Sequence, residues 1–430
     1  RSYKYNGTVV PYEISWELIN IKNSEPYNIT LYRSVYGPTI PNSDGKFYSL
    51  KWTAQYPVEP SVEAIMDQCT ASSKEEYVQA AGKWWSLCFN AVYGDIYGNI
   101  GYHATGAIPQ RIAGDDGNIP KVGDGSADWL GITPFESLAN FENPEEGYIV
   151  TANNPTAPVG SENYIIGDFA VGFRAQRIID MIEDRLNSDT PLLDVDYMAD
   201  IQGSVVNLEF SYLYPIVQNL QLTNSDDLDW QQTLLAWDGN ELIDSKEATI
   251  FDDFASCLYN VTFYEVGFSW DDPNMMANIF NNATASGAGD DLACSFWNTT
   301  CLNYASSCFS SVVSRYPIRV PEWGSLPHYM VAVHILPVPV NENLFAAVGG
   351  SEYTPNAAHS VGGPRGPVLA GPSMRFISDL SGKTPNQMVL PGGESGDPTS
   401  PHYADQLPYW AEIQSLDMDW SQFSSKQIIK

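Results

Sequence analysis

The sequence predicts an α+β protein, and three observations carry that reading. Strand-like alternation fills residues 1–60 and returns after Pro321, helical periodicity dominates the stretch between, and no internal repeat is present. Strands at both ends around a helical insertion argue for one layered body rather than a string of separate domains.

Taken in order, Thr8 to Trp16 and Tyr27 to Val35 alternate with period two, and turn signals stand at Gly37-Pro38 and Asn42-Ser43-Asp44-Gly45. Residues 61–86 switch to helical spacing, with Glu75 and Glu76 placed for a helix start after Ser72-Ser73. From Phe89 to Tyr102 the period returns to two across Gly98-Asn99, which predicts a hairpin. Gly106 to Glu136 is rich in Gly, Asp and Pro and reads as a long surface loop. A short buried strand is expected at Tyr148 to Val150. Residues 169–187 form an amphipathic pattern with Ile178, Ile179, Met181, Ile182 and Leu186 on one side. Residues 192–310 read as a helical lobe containing Cys257, Cys294, Cys301 and Cys308. Strand patterns resume at Tyr329 to Val338, Leu344 to Val348 and Pro367 to Ile377, before a Gly/Pro/Ser-rich tail with Trp410 and Trp420.

Charge narrows the function classes. Among 430 residues there are 21 Lys+Arg against 52 Asp+Glu, a formal net of −31. Such a surface repels phosphate backbones and anionic lipid, which argues against nucleic-acid binding and polybasic membrane docking. The apolar run Tyr329 to Val340 is too short and too interrupted by proline to span a bilayer. The chain opens Arg1-Ser2-Tyr3-Lys4 with no apolar leader and no initiator Met, so Arg1 is expected to be a cleavage product or the first residue seen. Six cysteines without a C-x-x-C spacing favour disulfides over zinc. Sequons at Asn6, Asn28, Asn260, Asn282 and Asn298 permit N-glycans. Together these features favour a secreted, extracellular or lumenal glycoprotein.

The most informative stretch is Gly147-Tyr148-Ile149-Val150-Thr151-Ala152-Asn153-Asn154-Pro155. A carboxamide is uncharged and offers two N–H donors. Held beside a reacting carbonyl, it can stabilise the oxyanion of a tetrahedral intermediate. On its own, Asn-Asn-Pro reads more readily as a turn.

The surrounding landmarks shift that balance. Tyr36-Gly37-Pro38-Thr39-Ile40, Lys51-Trp52-Thr53-Ala54, the hairpin from Asn90 to Arg111, Gly147 to Asn154 and Gly172-Phe173-Arg174-Ala175-Gln176-Arg177-Ile178 occur in that order. Trp237-Asp238-Gly239, Trp323-Gly324, His334, Val348-Gly349-Gly350, Gly371-Pro372-Ser373-Met374-Arg375 and Gly393 to Tyr403 complete the series. In this order they resemble the penicillin acylase family of N-terminal nucleophile hydrolases, almost from end to end. The resemblance implies a four-layer αββα sandwich with a helical excursion. Residues 1–190 would be the first part of the core, 191–320 the mostly helical lobe with clustered cysteines, and 321–430 the return strands.

The resemblance also implies roles. Asn153 matches the side-chain donor of the family's oxyanion hole. Arg177 matches a helix arginine near the active site, with a structural ion pair as its competing role. Asp168 matches a calcium-binding aspartate approximately, the loop spacing being different here, and implies a structural calcium ion; the chemistry itself needs no cofactor. A lone carboxylate does not specify calcium, which takes six or more oxygens. Asp115-Asp116-Gly117 and Asp124-Gly125 lack the register of a calcium loop and read as turns. Gly393-Glu394-Ser395-Gly396 misses G-x-S-x-G, because Asp397 stands where the second glycine belongs.

Two departures from the family pattern matter. Tyr36 replaces the usual His, and the N-terminal Ser, Thr or Cys nucleophile, whose α-amino group serves as base, is not found in this chain. The expectation is therefore a subunit of a heteromeric amidohydrolase whose nucleophile resides on another chain of the same processed precursor, acting on a small-molecule acyl amide. The competing expectation is a non-catalytic secreted glycoprotein that keeps the fold as a structural or assembly module.

Overall fold

The computed structural model describes residues 1–43, 45–56, 60–115, 117–155, 157, 160, 165, 167, 169–260, 275–276, 278, 300–325, 329–331, 345–360 and 366–418. The chain forms two compact units, Arg1–Ala170 and Val171–Lys430. Both mix helices and sheets.

The first unit opens with a hairpin, β1 (Ser2–Tyr5) and β2 (Thr8–Pro11). Its two-residue turn is Asn6-Gly7, both at positive φ (47° and 77°). That backbone twist matches the twist of the flanking strands, and Asn-Gly reaches it at low cost. An antiparallel sheet comes next, its strands in sequential order: β3 (Glu13–Ile19), β4 (Tyr27–Ser34), β5 (Gly37–Pro41) and β6 (Phe47–Ser49). Gly37 starts β5 at φ 119°, where an added Cβ would lie 2.0 Å from Gln55 Oε1, so only glycine fits the turn.

The stretch read as one helical segment splits into α1 (Ser61–Thr70) and α2 (Lys74–Ala81). The break has a capping cause: Ser73 Oγ accepts from Glu76 N, while the Glu76 carboxylate takes the Ser72 N–H at 2.8 Å. β7 (Asn90–Gly94) and β8 (Ile100–Ala104) form the expected hairpin, and β11 (Asn140–Glu142) adds to β8. Among the described residues, the surface loop between them contains the two-residue strands β9 (Pro109–Gln110) and β10 (Gly131–Ile132) and a 3-10 turn at Phe135–Ser137. Tyr102, Ala104, Leu138 and Ala139 form the buried core of this sheet.

One expected strand does not form. Tyr148 to Val150 is half-buried but joins no ladder. Gly147 enters it at φ 78° from a turn closed by its N–H on Pro144 O, and Asn153 leaves it at φ 63°. Left-handed residues therefore turn the chain on both sides of the apolar run.

In the second unit, α3 (Phe173–Leu186), where the amphipathic pattern of residues 169–187 stands, is followed by α4 (Val195–Gly203), α5 (Glu209–Asn219), α6 (Ser225–Leu235), α7 (Glu247–Tyr259) and α8 (Cys301–Ser314). Helices α5 to α8 share a core that includes Leu213, Ile216, Leu234, Ile250, Phe251, Phe254 and Phe309. A disulfide between Cys257 and Cys308 ties α7 to α8. Cys301 is also disulfide-bonded, Cys69 and Cys88 are free thiols, and Cys294 lies outside the described residues. The return strands form two small sheets. One has the order β13 (Phe345–Ala347), β12 (Tyr329–Val331), β15 (Val368–Ala370), β14 (His359–Ser360); the other is β16 (Arg375–Ile377), β17 (Gln387–Val389), β18 (Leu416–Asp417). The short helix α9 (Leu407–Ala411) packs Leu407 and Trp410 against Val348, Val368 and Val389. No helix among the described residues is long and apolar enough to cross a membrane.

Candidate active site

The two adjacent carboxamides have different surroundings. Asn154 Oδ1 accepts the Ala152 N–H at 2.9 Å, and its Nδ2 donates to Pro155 O at 3.0 Å. Its side chain is thus a fastener for the turn. Asn153 occupies the left-handed region at φ 63°, its carbonyl accepts the Ala170 N–H at 2.9 Å, and the residue is exposed. Asn tolerates that conformation better than other non-glycine residues, at a cost of about 1 kcal/mol. Ala152, beside it, is 8% exposed and anchors the turn in the unit. A backbone strained at one residue and pinned on both sides is a rigid mount for a side chain.

Arg177 lies on α3, whose Phe173, Ala175 and Ile182 face the interior. The arginine is half-buried, and its Nε donates to Ser204 Oγ at 3.1 Å. Ser204 is the C-cap of α4 and is buried. Arg177 makes no ion pair among the described residues. Its competing role as half of a structural ion pair therefore gains no support, and a neutral hydroxyl seats the guanidinium. Asp168, the expected calcium ligand, lies outside the described residues. Among the described residues no group of three or more His, Cys, Asp or Glu side chains could hold a metal ion.

Tyr36 has a local account. Tyr5 donates its hydroxyl to Asp128 Oδ2 at 2.8 Å, and the Tyr36 hydroxyl uses the same carboxylate. Burial first, then Asp128, push the Tyr36 phenol well above its ordinary range, so it stays a neutral donor. Lys51 Nζ lies 3.7 Å from Asp128 Oδ1, 5.3 Å above the Tyr36 ring and 4.8 Å above Trp129. Tyrosine at this position knits β5 to the loop carrying Asp128.

Other motifs resolve into structure. Asp115 Oδ1 accepts the Gly117 N–H at 2.9 Å and meets Lys121 at 3.3 Å, and Asp124 Oδ1 accepts from Ser126 N and Oγ. Both are turns, as the missing calcium register implied. Ser395 Oγ accepts the Asp397 N–H at 3.1 Å, and Gly393 packs so closely that a Cβ would meet His402 O at 2.1 Å. That stretch is a tight structural loop. Among the sequons, Asn6, Asn28 and Asn260 are exposed, whereas Asn282 and Asn298 lie outside the described residues.

Sequence patterning missed a group of acids in the interior: buried Glu209 at the start of α5, buried Glu241 before α7, and half-buried Asp252 within α7, whose Oδ2 is buried. Glu209 is 3% exposed and Glu241 is fully buried. Burial drives the Glu209 carboxyl up to about 8 and the Glu241 carboxyl to about 7, and raises that of Asp252 well above the carboxylate range. The one signal available was Asp252 directly following Ile250-Phe251 and preceding Phe254, an acid inside an apolar helical run.

Comparison with known proteins fixes the family. A family model described as penicillin amidase matches residues 1–427. The chain belongs to the penicillin amidase family. Penicillin G acylase of Escherichia coli is 32% identical over 258 residues, which cover 57% of this chain and 29% of that protein. Penicillin acylase 2 proenzyme of Pseudomonas sp. (strain SE83) is 22% identical across 100% of this chain and 57% of its own length. Acyl-homoserine lactone acylase QuiP of Pseudomonas fluorescens is 22% identical over 97% of this chain and 55% of its own. The chain thus spans little more than half the length of the relatives it matches end to end. Among solved structures, a thermostable penicillin G acylase from Alcaligenes faecalis matches with a TM-score of 0.70 at 20% identity, covering 100% of this chain and 83% of that one. That likeness shows the fold of the penicillin amidase chain.

Proposed function

We propose that this penicillin amidase chain is one polypeptide of an amidohydrolase that cleaves an N-acyl amide through an acyl-enzyme. The observation that carries the reading is the tandem Asn153-Asn154 directly after the apolar run Tyr148 to Val150, with Asn153 exposed on a left-handed backbone whose carbonyl holds the Ala170 N–H. In the proposed reaction a Ser, Thr or Cys at the N-terminus of another chain of the same precursor attacks the acyl carbonyl. Its own α-amino group takes the proton. The carbonyl oxygen becomes an oxyanion, and the Asn153 Nδ2–H donates to it. Collapse breaks the C–N bond, the protonated amine leaves, and water then releases the acid from the acyl-enzyme. A donor aimed at the oxyanion rather than the ground-state carbonyl raises the rate by about 10²–10³. Arg177, seated on Ser204, is the second residue to which the family resemblance assigns a role in the reaction.

Several features support the wider reading. The named activities of relatives, on penicillin G and on acyl-homoserine lactones, both break an acyl–nitrogen bond, so the substrate class is a small acyl amide. One relative is named a proenzyme, consistent with a partner chain produced from a common precursor. The match in fold supports the four-layer αββα sandwich. The Cys257–Cys308 disulfide and the exposed Asn6, Asn28 and Asn260 support an oxidising, extracellular or lumenal setting with N-glycans. A structural calcium near Asp168 stays a proposal from the family resemblance, with no catalytic step assigned to it. N-terminal sequencing of every polypeptide that co-purifies tests the reading. A partner beginning with Ser, Thr or Cys is expected; its absence from a complete preparation overturns the scheme and leaves a non-catalytic assembly module.

A further inference from the structure

The buried acids sit where three chain segments are laced together. Asn356 N donates to Ser204 O at 3.0 Å, Glu241 N to Val205 O at 2.9 Å, Asn207 N to Gly239 O at 2.9 Å, and Gly350 N to Glu241 O at 2.9 Å. Side chains continue the lacing. Asn207 Nδ2 donates to Glu241 Oε1 at 2.8 Å, Asn207 Oδ1 accepts the Glu209 N–H at 2.9 Å, and Tyr259 donates its hydroxyl to Glu209 Oε1. Glu241 Oε2 and Asp252 Oδ2 are buried without a partner of good hydrogen-bond geometry among the described residues, although Ser351, beside Glu241, pulls its carboxyl part of the way back towards the ionised form.

The charges around this knot are mostly of one sign. Glu209, Glu241, Asp252 and Glu352 act on one another, and Asp253 adds its potential to Asp252. The phenols of Tyr259 and Tyr353 face the same interior. Two cations approach: Arg174 of α3, which feels Glu352, and Arg315, 3.9 Å from Asp253, which also accepts the Tyr316 hydroxyl. Neither forms an ion pair with Glu209, Glu241 or Asp252 among the described residues. A buried carboxylate without a counter-ion costs several kcal/mol, and a proton removes that cost.

The same segment carries the seat of Arg177. Ser204, whose carbonyl is held by Asn356, presents its hydroxyl to Arg177 Nε. We propose that Glu241 is a positioning residue: carrying a proton in the buried knot with Glu209 and Asp252, it holds the Ser204–Asn207 segment under Arg177, and ionisation at higher pH unlatches that segment. The latch is a property of the second unit and stands apart from the catalytic scheme, because its readouts need no turnover.

Two measurements on the purified protein, together with any chain that accompanies it, test the latch. Infrared difference spectra between pH 6 and pH 9 are expected to show loss of protonated buried carboxyl bands, one of them missing in Glu241→Gln. Hydrogen exchange at the Asn207, Glu241 and Asn356 amides, corrected for intrinsic rate, is expected to speed up at least about tenfold over that range in wild type, to begin its rise at a higher pH in Glu241→Gln, where Glu209 is the acid left to ionise, and to stay level in the Glu209→Gln/Glu241→Gln double variant. Absence of any protonated carboxyl band in the wild type at pH 6 overturns the proposal even if the variant fails to fold. So does wild-type exchange at these amides that ignores pH.

Discussion

Replacing Asn153 with glycine separates two contributions that an alanine scan would mix. At φ 63° the backbone favours glycine, so Asn153→Gly relieves about 1 kcal/mol of left-handed strain while removing the carboxamide. Offsetting this, glycine enlarges the unfolded ensemble by a similar amount. The net change in stability is therefore within about 1 kcal/mol of zero. Two fastening bonds remain, because the Ala152 N–H is held by Asn154 and the Ala170 N–H by the residue 153 carbonyl, which glycine keeps. Catalysis should respond quite differently. Losing one oxyanion donor raises the barrier by about 2.7–4 kcal/mol, a fall in kcat of about 10²–10³. Asn153→Ala should lose the same activity and also about 1 kcal/mol of stability. The assay is acyl-amide hydrolysis by the assembled protein, with thermal unfolding run in parallel. Wild-type turnover in Asn153→Gly refutes the donor role outright, and unfolding of that variant refutes the claim that Asn153 is not the fastener.

Asn154→Ala should invert the pattern: the Ala152 N–H loses its acceptor, stability drops by about 1–2 kcal/mol, and activity falls only as the turn loosens, as denaturant titration beside kinetics would show. Cys257→Ser opens a crosslink spanning 51 residues and should cost about 4 kcal/mol by loop entropy, read as a lower unfolding midpoint of the helical lobe; an unchanged midpoint under oxidising conditions counts against the staple. Glu209→Gln probes the buried acids. A carboxyl whose folded value is raised from 4.5 to about 8 contributes its stability in full below pH 4.5 and loses it as pH climbs through 8. The variant should match wild type in acid and exceed it above pH 8, by at most about 5 kcal/mol, in urea unfolding at several pH values. Parallel wild-type and variant profiles contradict the assignment.

Local chemistry made much of the fold legible. Gly98-Asn99 marks a hairpin turn, Ser73 with Glu76 fixes a helix start, and the spacing of Ile178, Ile179 and Ile182 marks α3. Tyr148 to Val150 shows where local pattern falls short. Three half-buried apolar residues look like a strand, but pairing needs a partner at the right register, which local pattern does not show. At the candidate site, residue order gave Asn153 and Arg177, yet no pattern could show that Asn154 spends its amide on the turn or that Ser204, 27 positions away, seats the arginine. Glu209, Glu241 and Asp252 escaped notice for a related reason. Acids are ordinarily solvated, and only tertiary packing reveals that these are not.

The most direct measurement is covalent labelling of a complete, amide-hydrolysing preparation with an arylsulfonyl fluoride, followed by mass-spectrometric mapping of every polypeptide. The expected result is one label on the N-terminal Ser, Thr or Cys of a second polypeptide, with labelling slowed in Asn153→Gly because the oxyanion-like intermediate loses its donor. A label that instead stops hydrolysis from a side chain of these 430 residues, such as Ser395, would contradict the claim that this chain supplies the donor and another supplies the nucleophile.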